Sequence, residues 1–209
     1  MAFESEAIKA IFGHFSTRQQ LVADILAGPR REGWFNAESF VALSAISNPE
    51  TFTVYGEQCY ANIPRRLAGT RIPDLVGYTP DGSVAFIIEA KLFFRRDPEN
   101  HRNKQLHRLV EQMLEAKRQC PGAPAIGLIH LACLSSDPLR KKARRGNVGF
   151  RVPPDNLCAK LMKEAEAELK AVPSTWLEPL RILTPLIGER TTFEYPSVHV
   201  SFGMGAIAI

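Results

Sequence analysis

No stretch of this sequence stays apolar for the roughly 18 residues that a membrane-spanning helix requires. The N-terminal MAFESEAIKAIFGHF has no basic segment running into an apolar one, so no secretory leader is expected and the location expected is cytoplasmic. Cysteine is scarce: Cys59, Cys120, Cys133 and Cys158 include no C-x-x-C pair. His130 and Cys133 have ligand-like spacing, but they lie in the apolar run AIGLIHLACL, so reduced core thiols are expected in preference to a zinc site. No G-x-x-x-x-G-K-[ST] loop is present to cradle nucleotide phosphates, and no Ser-His or Cys-His arrangement suggests covalent catalysis. Internal repeats and low-complexity segments are also absent.

What remains is ordinary globular material. With 209 residues, 45% hydrophobic and 23% charged, the chain suits a single domain, residues 1–209, with one sizeable core. Net charge is a modest +4, but the basic residues are unevenly spread. They gather at Arg65, Arg66 and Arg71, at Arg95 and Arg96, around Lys104, and most densely at Arg140, Lys141, Lys142, Arg144 and Arg145. Several such runs around one acidic hairpin point to a polyanionic partner, and no membrane partner is expected.

Apolar spacing predicts helices over 4–27, interrupted near Ser16-Thr17, and a helix over Asn36–Ile46 with Asn36 as its N-cap. Thr51–Tyr60 reads as a strand. The segment RIPDLVGYTPDGSVAFIIEAK follows as a hairpin about Thr79-Pro80-Asp81-Gly82, a type I turn. A helix with Leu106, Leu109, Val110, Met113 and Leu114 inward precedes a buried strand, Ala125–Leu134. Residues of NVGFRV suggest a short strand, Asn156–Lys170 an amphipathic helix, and the C-terminal SVHVSFGMGAIAI one strand or two. A helix between two strands makes a parallel crossover, so a mixed sheet and an α/β fold are expected.

The hairpin carries Asp74, Glu89 and Lys91 among apolar residues. Glu89 and Lys91 share a face because they are two apart on a strand. If Thr79 pairs with Gly82, Asp74 lies opposite Ile87 and diagonal to Glu89, at the sheet's rim, provided that no bulge intervenes. Paired carboxylates without clustered His or Cys favour a hard cation such as Mg²⁺ or Mn²⁺. Such an ion lowers the pKa of a bound water and polarises a phosphoryl oxygen, and a neighbouring lysine can stabilise charge developing on phosphate.

Pro73-Asp74 followed by Glu89-Ala90-Lys91 resembles the PD-(D/E)XK nuclease superfamily, the restriction-endonuclease-like fold. The resemblance covers roughly 36–134, with 4–27 and 155–209 as additions to the same domain. It implies a three-layer α/β/α core around a central mixed sheet. It implies metal ligation by Asp74, Glu89 and the Ala90 backbone carbonyl, with Lys91 as the catalytic lysine. An acidic residue from the preceding helix would be Glu38, with Glu57 on the first strand as the other candidate to complete the metal site. A glutamine from the following helix would be Gln105, with Gln112 as a competitor; a tyrosine found after it in one subgroup is replaced here by Leu109.

The function expected is therefore Mg²⁺- or Mn²⁺-dependent hydrolysis of DNA phosphodiesters. The alternative is a nuclease fold serving as a nucleic-acid-binding or protein-interaction module without turnover. Cutting both strands with one site per chain would favour a homodimer.

Overall fold

A computed structural model describes residues 3–27, 32–56, 73–95, 97–136, 154–190 and 198–209. The N-terminal periodicity produces α1 (Phe3–Thr17), which buries Ala7, Ile8, Ile11, Phe12 and Phe15, then α2 (Gln19–Ala27). The break falls where Thr17 turns its hydroxyl back onto the carbonyls of Gly13 and His14, a local bond that competes with helix continuation. Helix α3 (Glu32–Ser44) starts a turn earlier than expected, so Asn36 lies inside it and does not cap it.

Strands β1 (Thr53–Gly56), β2 (Leu75–Tyr78) and β3 (Val84–Phe94) form the antiparallel meander. Helix α4 (Glu99–Gln119) then leads to β4 (Ala125–Ser136), which pairs parallel to β3 as the crossover requires. Helix α5 (Pro154–Glu168), β5 (Thr175–Arg190) and β6 (Val198–Ala208) complete the chain. The sheet order is β1-β2-β3-β4-β6-β5, with β6 antiparallel to both of its neighbours. This is the expected three-layer α/β/α arrangement around a mixed sheet.

Strand β5 was not anticipated. Pro179 and Pro185 argue against a strand, yet proline is tolerated at an edge, and β5 accommodates them there with repeated register shifts against β6. The expected strand in NVGFRV and residues 57–60 of the first strand lie outside the described residues.

The hairpin register also differs from expectation. Thr79 pairs with Ser83, not Gly82, and Gly82 N–H donates to the Thr79 carbonyl. Gly82 takes φ +81°, so the loop has three residues with glycine in the left-handed position. A bulge between the Gly77 and Tyr78 pairings inserts one further residue, Ala85, into β3. The two extra residues together preserve parity while shifting register by a full pleat.

Each face of the sheet packs on its own core. Phe86, Ile88, Ala90 and Leu92 of β3 join Phe15, Phe35 and Leu43 on the α1–α3 side. Ile87 and Phe93 join Leu109, Met113 and Leu161 on the α4–α5 side. Within the first core His130 is held among Phe15, Phe35 and Phe202, at ring separations of 5.7, 5.0 and 5.9 Å. Its Nε2 is buried without a hydrogen-bond partner, and burial pushes the imidazole pKa down to about 3.

Two tests follow from the packing. A Cβ at Gly205 would sit 2.7 Å from the Leu180 backbone, so Gly205→Ala should lower unfolding free energy by about 1–3 kcal/mol. Gly13→Ala on open helix surface should raise it by roughly 0.5–1 kcal/mol; urea denaturation measures both. His130 remains neutral in the fold down to about pH 3, whereas in the unfolded chain it takes up a proton below about pH 6.5. Its contribution is therefore intact above that pH and lost progressively as pH falls toward 3. His130→Leu should flatten that part of the stability profile, as read by denaturation at stepped pH.

Candidate functional site

Continuing the β2–β3 register beyond Leu75↔Ile88 sets Asp74 directly opposite Glu89, not diagonal to it. Asp74 precedes the first residue of β2, and its carboxylate takes over there as acceptor: Ala90 N–H donates to Oδ2 at 2.7 Å. Asn36 of α3 donates its Nδ2 to Oδ1 at 3.0 Å. One carboxylate thus links strand β3 to the helix layer above it. In an extended strand the N–H and C=O of one residue point to the same edge, so the Ala90 carbonyl is directed to the edge where Asp74 sits.

Glu89 points to the opposite layer. It is only 4% exposed, which corrects the expectation of a group at the sheet's rim. Gln112 of α4 donates Nε2 to Glu89 Oε2 at 2.8 Å. Strand alternation puts Ile87 and Lys91 on this face too, with Lys91 half-buried. Asp74 and Glu89 are therefore adjacent across the ladder while their carboxylates engage different helices.

Both amides leave an oxygen behind. Asn36 Oδ1 and Gln112 Oε1 are buried and without a hydrogen-bond partner. Amide orientation follows from the network, and a carboxylate neighbour requires the NH₂ side. Each acid is thus flanked by an unsatisfied oxygen acceptor, a donor set that suits a hard cation. Asp74, Glu89 and the Ala90 carbonyl fit Mg²⁺ or Mn²⁺ by type. Among the described residues no group of three or more His, Cys, Asp or Glu side chains is placed to hold an ion.

Glu38 lies elsewhere. Two residues beyond Asn36, it is turned about 200° around the helix and binds His14 at 2.6 Å and Arg18 at 3.3 Å. Helix α3 reaches Asp74 through Asn36 instead. Gln105 lies two turns before Gln112 and bonds to His101 at 2.7 Å, so Gln112 is the glutamine that reaches Glu89. Lys104 is exposed on α4. Glu57, Arg65, Arg66, Arg71, Arg140, Lys141, Lys142, Arg144 and Arg145 lie outside the described residues.

His130 and Cys133 cannot share an ion. Three positions apart on β4, they face opposite cores, His130 among the phenylalanines of the α1–α3 side and Cys133 on the α4–α5 side. Burial pushes the Cys133 thiol up to about 11 and the Cys158 thiol up to about 12, and both are free.

No protein-family model matches the chain, and neither the curated proteins nor the solved structures contain a match.

Hydrogen bonds to a buried charge contribute about 1.5–3 kcal/mol. Asn36→Leu and Gln112→Met should each destabilise the fold by roughly that amount, whereas Gln105→Ala should stay within about 0.5 kcal/mol. Urea denaturation at pH 7 distinguishes the three.

Proposed function

We propose that the chain is a metal-dependent nuclease that hydrolyses DNA phosphodiesters, of PD-(D/E)XK type. The observation that supports this reading is that Asp74, at the start of β2, accepts from the Ala90 N–H and so lies beside Glu89-Ala90 of β3, with Lys91 two residues on along the Glu89 face. Asp74, Glu89 and the Ala90 carbonyl would hold Mg²⁺ or Mn²⁺, which when bound supplies Lewis acidity toward a phosphoryl oxygen and acidifies water.

The chain's own residues have defined tasks. Asn36 and the Ala90 N–H fix the Asp74 carboxylate, and Gln112 fixes that of Glu89. The Lys91 ammonium donates to the phosphate oxygen on which charge develops, an interaction that strengthens in the transition state. Lys104 and Arg108 on the exposed side of α4 offer cations to the DNA backbone.

One observation favours the alternative, a binding module without turnover. Both Asp74 oxygens already serve β3 and α3, a structural duty that needs no metal. Incubation of purified protein with plasmid or oligonucleotide DNA and Mg²⁺ or Mn²⁺ separates the two. The nuclease reading expects cleavage that falls by about 10²–10³ in Lys91→Ala and is abolished in Asp74→Ala. No cleavage by wild type with any substrate and metal, or undiminished cleavage by Lys91→Ala, overturns it.

A further inference from the structure

The sheet face that carries Glu89 and Lys91 does not end at β3. Tyr55 of β1 pairs with Val76 of β2, and Val76 pairs with Ile87 of β3. Directly opposed residues share a face, so all three lie on the α4 side, and Tyr78 of β2 packs on that side too. Helix α4 seats on β3 and β4, and the outer strands run on past it. There Tyr55 is 37% exposed. Every other Phe, Tyr or Trp among the described residues is buried or half-buried. Tyr55 and Tyr78 meet edge to face, with ring centroids 5.6 Å apart and planes at 79°. That contact steadies the Tyr55 ring and covers at most one of its two faces.

The exposed ring stands in line with the rest of the site. Two strand spacings, about 10 Å, and one side-chain step, about 7 Å, separate Tyr55 from Glu89. Ile87 lies under Glu115, Ala116 and Gln119, while Gln112 reaches Glu89, so α4 runs opposite to β3. Arg108 and Lys104 continue the Gln112 face in four-residue steps, are exposed, and lie toward the Lys91 end. From one end of this face to the other the order is therefore an aromatic ring, the Glu89 carboxylate, then cations. The carboxylate nearest the ring, Glu115, is answered by Arg118 and Gln119, which limits its repulsion of a passing phosphate.

We propose that Tyr55, braced by Tyr78, is a base-stacking platform that makes single-stranded DNA the favoured ligand of this face. The proposal rests on the nuclease reading for the class of its partner and needs no turnover. Bases stack on aromatic side chains whatever their identity, because each has a π-face. In a duplex those faces are taken by neighbouring bases, so only an unpaired strand can use the ring. With one base on Tyr55, the sugar-phosphate chain passes Glu89 and continues to Lys91, Arg108 and Lys104, whose charges hold it without regard to sequence.

The test measures binding of the full chain to fluorescent oligonucleotides by anisotropy, in EDTA so that cleavage does not intrude. A single strand of mixed sequence is compared with its duplex and with an abasic strand of equal length, which keeps the phosphates and lacks the bases. Wild type should bind the base-bearing strand more tightly than either of the others. Tyr55→Leu, shown to be folded by circular dichroism, should weaken binding to that strand by about tenfold or more and leave the abasic strand and the duplex unchanged. Tyr55→Phe, which keeps the ring, should behave as wild type. If Tyr55→Leu does not fold, the discrimination by wild type between base-bearing and abasic strands decides the matter. The inference is overturned if wild type binds the duplex or the abasic strand as tightly as the base-bearing strand, if it binds no DNA, or if folded Tyr55→Leu binds as wild type does. Cleavage with Mg²⁺ or Mn²⁺ is scored separately. Tyr55-dependent binding without cleavage sinks the nuclease reading alone, and cleavage with binding indifferent to Tyr55 sinks this inference alone.

Discussion

The parallel pairing of β3 with β4 is the constraint from which the site is built. Parallel neighbours cannot be joined by a tight turn, so the chain must cross the sheet, and it does so as α4. Crossing lays the apolar face of α4, Leu106, Leu109, Val110 and Met113, on Ile87 and Ile129. Once that face is seated, Gln112 has no freedom to be anywhere except over Glu89. The buried carboxylate and its amide partner are thus delivered by the same packing that closes the second core. On the other edge of β3 the antiparallel ladder stops after Leu75, and Asp74 supplies the next acceptor. Strand β3 is therefore held by a helix crossover on one side and a side-chain bond on the other, with the acidic residues at the two points of attachment.

This arrangement divides the labour of the two layers. Helix α3 contributes one amide, Asn36, to one acid; α4 contributes another, Gln112, to the other. Each amide satisfies its carboxylate with nitrogen and is left with a buried oxygen. Buried acceptors without donors are costly, and this fold keeps one beside each of the two acids.

Much of this was legible in the residues. Alternation in VAFIIEAK placed Glu89 and Lys91 on one face, and the helix between β3 and β4 announced a mixed sheet. The hairpin register was less so, since turn chemistry alone does not reveal a three-residue loop followed by a bulge. The two irregularities each add a residue, so parity along the backbone was kept and Asp74 moved from diagonal to opposite Glu89. The shared face was not kept: the Asp74 carboxylate turns to α3 and that of Glu89 to α4. Glu89 was expected at a rim because the sequence does not say how far α4 extends over the strand. Asn36 read as a cap because asparagine favours helix starts; the helix in fact begins a turn sooner at Glu32, and interior position made Asn36 a reaching side chain. Strand β5 was hidden by Pro179 and Pro185, residues that signal a break in most contexts and are compatible with a strand only at an edge.

Those prolines have a further consequence. A sheet with open edges invites strand addition by another copy, and here each edge is blunted in its own way. At one end β1 is four residues long. At the other, β5 lacks two N–H donors and is thrown out of step with β6 at five places. A second chain laid along β5 would find gaps where it needs a continuous row of partners. Among the described residues, association between copies by sheet extension is thereby disfavoured along both edges.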